Sequence, residues 1–122
     1  MTAPVIALHA NELANIGHVR HAFFTRQGGV SDGIYASLNG GLGSGDARAR
    51  VVANRGRMAM QLGVTDDALV SVHQIHSPDA LIIEKPHDGE RPKADGMATA
   101  TPGLAHCRCG RRRPATGAAK RV

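Results

Sequence analysis

The chain has 122 residues, 15 Lys and Arg against 10 Asp and Glu, 42% hydrophobic residues, two Phe, one Tyr and no Trp. That amount of chain fits one small domain or part of one. It contains no apolar run of about 18 residues and no basic-then-apolar leader, so a membrane span and a secretory signal are not expected and a cytoplasmic location is the default. A collagen-like repeat, a coiled coil and a disulfide scaffold are likewise excluded, since glycine has no period, no heptad is sustained and the only two cysteines lie two residues apart.

The formal charge of +5 is not spread evenly. Six of the fifteen basic residues and none of the ten acidic ones fall in residues 106–122, leaving residues 1–105 at nine against ten. Those last 17 residues hold almost no large aliphatic side chain and have little with which to bury a face. Residues 1–105 are therefore expected to form the folded part, and 106–122 a basic, disordered tail.

Along the chain, residues 18–25 read as a strand, with Val19 and Phe23 on one side and Phe24 opposite, ended by Gln27-Gly28-Gly29. Residues 28–45 carry seven of the fifteen glycines with Ser, Asp and Asn between them. Such a segment makes turns and brings its backbone close to a ligand, so it is the first candidate site loop. Asp46 or Ser44 then caps a helix running to Leu62, with Val51, Val52, Ala59 and Leu62 inward, Arg48, Arg50, Arg55 and Arg57 pointing elsewhere, and Gly63 as its stop. Gly56 weakens it by about 1 kcal/mol relative to Ala. Residues 69–72 and 80–84 read as strands around a polar segment, 73–79, and a charged Pro/Gly loop at 85–93 precedes a short strand at 94–99. This order predicts an α+β fold with a mixed sheet and flanking helices.

In His73-Gln74-Ile75-His76, two imidazoles follow an apolar strand. If the strand continued through them, residues 73 and 76 would face opposite ways and could not share one metal. One functional histidine at most is expected, and a surface or hydrogen-bonded histidine is the plain alternative. Arg26 beside two glycines suits phosphate or carboxylate, and equally suits an ordinary turn. Asn39, Asp46 and Asp95 read as caps or turn residues as readily as substrate contacts. His106-Cys107-x-Cys109 lacks the second ligand pair of a zinc site, and the arginines at 111–113 read as solvated charge rather than a nucleic-acid patch.

Taken together, His21-Ala-Phe-Phe-Thr-Arg-Gln-Gly-Gly-Val-Ser31, Tyr35-Ala-Ser-Leu-Asn39, Gly45-Asp46, Asn54-Arg55, Val72-His-Gln-Ile-His-Ser77 and Ala94-Asp-Gly-Met-Ala-Thr99 resemble the YfiH/laccase-domain family. The resemblance covers about residues 15–105, the N-terminal part of a domain usually about twice this length. It implies helices with mixed sheets, and phosphorolysis of adenosine, inosine and methylthioadenosine, with adenosine deamination as a second activity. It implies a His-Cys-His zinc site whose first ligand falls on His76, and pocket loops carrying Arg26 and Asn39 as substrate or phosphate contacts. Its partners would be a purine nucleoside and phosphate.

The sequence departs from the family after Ala105. The family continues with a strand ending Thr-Ala-Asp-Cys, and later with His-Ala-Gly-Trp-Arg-Gly. This chain has neither, so the family cysteine is not carried over to Cys107 or Cys109. A shifted reading frame in a GC-rich gene is the expectation for residues 106–122, and an inactive chain follows from it. Copper is not expected, because seven scattered histidines without a His-x-His pair do not supply a multicopper cluster. The alternative is a small non-catalytic binding module whose basic tail contacts nucleic acid or another anion, recognised by a steep salt dependence.

Overall fold

A computed structural model describes residues 3–87 and 90–108. The fold is α+β, organised around one long helix. Its elements are β1 (Ala7–Leu8), α1 (Asn11–Ala14), β2 (Phe23–Phe24), α2 (Arg48–Leu62), β3 (Leu69–Val70), β4 (Ala80–Ile82), β5 (Gly96–Ala98) and β6 (Ala105–His106), with short 3₁₀ turns at Gly33–Tyr35 and Asp66–Ala68. The strands pair in three twos. β1 runs antiparallel to β2, with Ala7 opposite Phe24; β3 runs parallel to β6, with Leu69 opposite Ala105; β4 runs parallel to β5, with Leu81 opposite Met97. A single parallel bridge joins His73 to Lys93.

The strand expected over residues 18–25 shortens to Phe23–Phe24, because its partner β1 offers only two residues of pairing. α2 begins at Arg48 after Ala47, which makes no side-chain cap. Ser44 and Asp46 are bonded within the preceding loop instead. Gly63 does close the helix, in the left-handed conformation at φ 76.

The buried stripe of α2 is Val51, Asn54, Arg55, Met58, Ala59 and Leu62, spaced as i, i+3, i+4, i+7, i+8 and i+11. Two expectations change accordingly. Val52 stands 49% exposed, while Arg55, expected to point away, is only 8% exposed. Met58, Ala59 and Leu62 of the stripe pack with Ala22, Leu38, Leu69, Ala105 and Cys107 in one core cluster. The two polar members point to the glycine-rich loop, whose main-chain groups need partners as much as the helix does.

β6 crosses the point where the composition changes. Ala105 is fully buried, Cys107 is 4% exposed, and the Cys107 N–H donates to the Val70 carbonyl at 2.7 Å. The packed fold thus continues at least to Cys107, two residues into the segment expected to be a disordered tail, and from Cys109 onward that segment lies outside the described residues.

Candidate functional site

Residues 26–46 form a loop fastened at its neck and along its length. At the neck, the Arg26 carbonyl accepts the N–H groups of Ser37 (3.0 Å) and Leu38 (2.8 Å) and the Ser37 hydroxyl (2.6 Å), while Arg26 Nε donates to the Ala36 carbonyl (3.0 Å). Gly28 and Gly29 lie where main chains meet. A Cβ on Gly28 would come within 2.4 Å of the Val5 Cα, and one on Gly29 within 2.0 Å of the Ser37 carbonyl oxygen, so neither place admits a side chain. The Gly29 N–H is taken by the Ser37 hydroxyl at 3.2 Å and is not offered to an anion.

α2 supplies the remaining fastenings. Asn54, fully buried, accepts the Val30 N–H (2.7 Å) and donates to the Ser31 hydroxyl (2.9 Å) and the Asn39 carbonyl (2.9 Å). Arg55 donates to the carbonyls of Gly40 (3.0 Å) and Leu69 (2.8 Å), and Arg57 to that of Gly28 (3.0 Å). These three side chains were not singled out as functional in the sequence. Their signal was the helical phase, which places 54 and 55 beside 51, 58 and 62.

The fastened loop leaves a cleft of about 400 Å³ whose walls include Phe24, Arg26, Tyr35 and Asn39. The structure thus brings Arg26 and Asn39 together. Arg26 lines the cleft and its Nε–H is spent on the Ala36 carbonyl, so its Nη groups are the donors left for a ligand. Asn39 is largely engaged by its own loop. Its Nδ2 donates to the Ser44 hydroxyl (2.9 Å) and to Asp46 Oδ2 (3.2 Å), and its Oδ1 accepts the Gly41 N–H (3.1 Å), leaving about one acceptor lone pair unused. Asp46 is held below the usual carboxylate range, chiefly by the Ser31 hydroxyl, with help from the Asn39 amide, the Ala47 N–H and the Arg50 charge.

His76 is elsewhere, outside the walls of that cleft. β3 ends at Val70 and the last paired residue before the turn is His73, in its bridge to Lys93; His76 sits exposed in a turn with φ 61, the one non-glycine residue with positive φ among those described. Asp95 holds the turn by accepting the N–H groups of Ile75 (3.0 Å), His76 (3.1 Å) and Ser77 (2.9 Å) and the Ser77 hydroxyl (2.9 Å). Bonding of this kind favours the charged form, and the Ser77 N–H leads in lowering the Asp95 carboxyl to about 2.

A second cleft, of about 240 Å³, lies beside that turn, with Val72, Gln74, Asp95, Met97 and His106 among its walls. Among the described residues His106 Nε2 is buried without a hydrogen-bond partner, and burial pushes its imidazole pKa down. Cys107 is packed in the core cluster, and Cys109 and residues 111–113 lie outside the described residues. Among the described residues, no three His, Cys, Asp or Glu side chains gather so as to hold a metal ion. No described helix is long and apolar enough to cross a membrane.

Comparison with known proteins gives this geometry a context. A family model described as multi-copper polyphenol oxidoreductase laccase matches residues 20–109. A purine nucleoside phosphorylase of Corynebacterium glutamicum is 44% identical over 89 residues, 71% of this chain and 36% of the relative. One from Deinococcus radiodurans is 42% identical over 105 residues, 85% of this chain and 38% of the relative. The crystal structure of YlmD from Geobacillus stearothermophilus superimposes with a TM-score of 0.72 at 29% identity, over 84% of this chain and 40% of that one. The hypothetical protein YfiH of Bacillus licheniformis gives 0.68 at 30% identity, over 87% and 42%. The chain therefore spans about two-fifths of the length of these relatives. With most of its length matched by the family model and its fold shared with YfiH and YlmD, the chain belongs to the laccase/YfiH family, described as multi-copper polyphenol oxidoreductase laccase.

Proposed function

We propose that this chain carries part of a purine nucleoside phosphorylase site, with Arg26 as its phosphate anchor. The observation that carries the reading is the shared cleft of Arg26, Tyr35 and Asn39. A cleft-lining guanidinium whose Nη donors are left for a ligand matches two phosphate oxygens, and fixing phosphate against a nucleoside removes most of the entropy of bringing them together. In the reaction, a phosphate oxygen bonds to the anomeric carbon as the glycosidic C–N bond breaks. The phosphate proton ends on the departing purine, and the products are free base and ribose 1-phosphate, or its 5-methylthio derivative when methylthioadenosine is the substrate. Arg26 holds the charge of the nucleophile, and Asn39 offers its spare Oδ1 lone pair to a hydroxyl donor. Adenosine, inosine and methylthioadenosine are the substrates of this reading, with adenosine deamination as a second activity. Relatives named purine nucleoside phosphorylase support the phosphorylase part of this reading.

Zinc is the metal this reading implies, with His76 as a ligand. The described residues do not fit a closed zinc site. A held Zn²⁺ needs about three protein ligands, whereas the carboxylate nearest His76 in the turn, Asp95, already accepts four hydrogen bonds. The 122-residue chain measured alone is accordingly expected to carry zinc below stoichiometry and to turn over poorly.

The test joins binding to activity. Inorganic phosphate and inosine are titrated into the chain and read at the resonances of Arg26, Tyr35 and Asn39, with purine release and zinc content measured on the same sample. Phosphate should shift these resonances, and Arg26→Ala should abolish the shift. Absence of any shift, or a shift indifferent to Arg26→Ala, refutes the reading. Base release with stoichiometric zinc would overturn the metal argument.

A further inference from the structure

The turn at His76 is built against the preference of its own residue. Three consecutive N–H groups converge on one carboxylate only if the chain curls, and His76 takes φ 61 to let them. That conformation brings the Cβ of an L residue against the following carbonyl, and Gly or Asn would occupy it at less cost. A histidine standing where glycine would be less strained directs attention to the imidazole.

Asp95 is itself firmly placed. Its N–H and that of Gly96 donate to the Asp79 carbonyl at 3.0 and 3.2 Å, at the start of the β4–β5 pair. On the other side, His73 and residues 92–94 exchange main-chain bonds, from the His73 N–H to the Pro92 carbonyl (2.9 Å) and from the Ala94 N–H to the His73 carbonyl (3.1 Å). The carboxylate is thus fixed from both sides while it grips residues 75–77.

We propose that Asp95 is the positioning residue for His76: by binding three successive N–H groups it holds residue 76 left-handed and so sets the direction in which the imidazole leaves the turn. The value of that direction rests on the reading of His76 as a site residue. The hold of Asp95 on residue 76 does not.

The experiment is NMR on the metal-free 122-residue chain, with Asp95→Asn, Asp95→Glu and His76→Gly beside wild type. In wild type, the amide-to-Hα coupling and Cα shift of His76 should report a positive φ. In Asp95→Asn, the amides of residues 75–77 should exchange at least about tenfold faster and the His76 ring signals should move toward random-coil values, with the α2 amides unchanged. Asp95→Glu, which keeps the charge, should recover part of the protection. His76→Gly should raise the unfolding midpoint, since glycine has no Cβ to strain. A negative φ at His76 in wild type, unchanged exchange and ring signals in Asp95→Asn, or a lowered midpoint in His76→Gly would each overturn the proposal. Should Asp95→Asn fail to fold, the wild-type φ and the His76→Gly midpoint still decide it. A separate Zn²⁺ titration read at the His76 ring addresses the underlying reading. A ring unmoved by millimolar Zn²⁺ would remove His76 as a ligand while leaving the exchange results to judge Asp95.

Discussion

Asn54→Ala tests whether the helix organises the candidate cleft. The amide is fully buried and makes three hydrogen bonds, to the Val30 N–H, the Ser31 hydroxyl and the Asn39 carbonyl. Their losses are unequal. Val30 is 38% exposed, so its N–H can recover a water, and the Ser31 hydroxyl still donates to Asp46. The Asn39 carbonyl loses its helix donor in a partly buried place, and a space opens where the amide stood. With about 1–3 kcal/mol for a buried group left unpaired and less for the two that recover partners, the expected loss is about 2–4 kcal/mol. Asn54→Asp makes the argument sharper. It keeps an acceptor for Val30 but cannot donate to Ser31 or Asn39, and it adds a buried charge facing the hydroxyl that already serves Asp46, so it should cost at least as much as alanine. Urea unfolding with an unchanged m-value measures both variants, and the thermal midpoint should fall by about 4–8 °C per kcal/mol. Losses under about 0.5 kcal/mol for both would refute the claim that Asn54 fastens the loop.

Arg55→Lys should destabilise by about 1–3 kcal/mol in the same unfolding assay, because an ammonium cannot span the Gly40 and Leu69 carbonyls that the guanidinium fork reaches together. Met58→Ala, at a fully buried position of the core cluster, should cost about 2–5 kcal/mol in urea unfolding. Asp46 has a folded-state pKa below its unfolded value near 3.8, so its contribution is complete above that pH and disappears as pH falls through the lower folded value. Unfolding followed between pH 5 and pH 2 should therefore lose stability in wild type more steeply than in Asp46→Asn across the region below 3.8.

Much of this was legible in the sequence because it is periodic or punctuated. α2 and its Gly63 stop followed from spacing and from glycine as a helix stop; residues 28–45 were read as a candidate site loop, and the resemblance put Arg26 and Asn39 in pocket loops, which the structure sets on the walls of one cleft. The unreadable parts are those decided by partners distant in the chain. β1 and α1 are too short to have a period, and the cut of residues 18–25 to two paired residues depends on what β1 offers. Arg55 looked solvent-facing because charge usually is, and only the unmet carbonyls of the loop and β3 explain a guanidinium in the core stripe. The ends of residues 73–79 behaved similarly. The register argument for His73 and His76 assumed a continuing strand, whereas Asp95, nineteen residues further on, bends it.

The pattern of loop fastenings also limits where the chain length can change. Between Gly28 and Gly40 the main chain is fixed at Gly28, Val30, Ser37, Leu38, Asn39 and Gly40 by α2 or by the neck at Arg26, and at Ser31 by its N–H on the Ser37 carbonyl. The tip between these fixed runs is the short 3₁₀ turn at Gly33–Tyr35, where Ile34 is 69% exposed. Lengthening a loop that is already closed adds only a few tenths of a kcal/mol of closure entropy, so the tip can absorb inserted residues, while one residue gained or lost at 28–31 or 37–40 would shift every fastening out of register at once. Variation in loop length is accordingly channelled to the rim of the Arg26 cleft, where it can alter what enters without moving the residues that hold the floor in place.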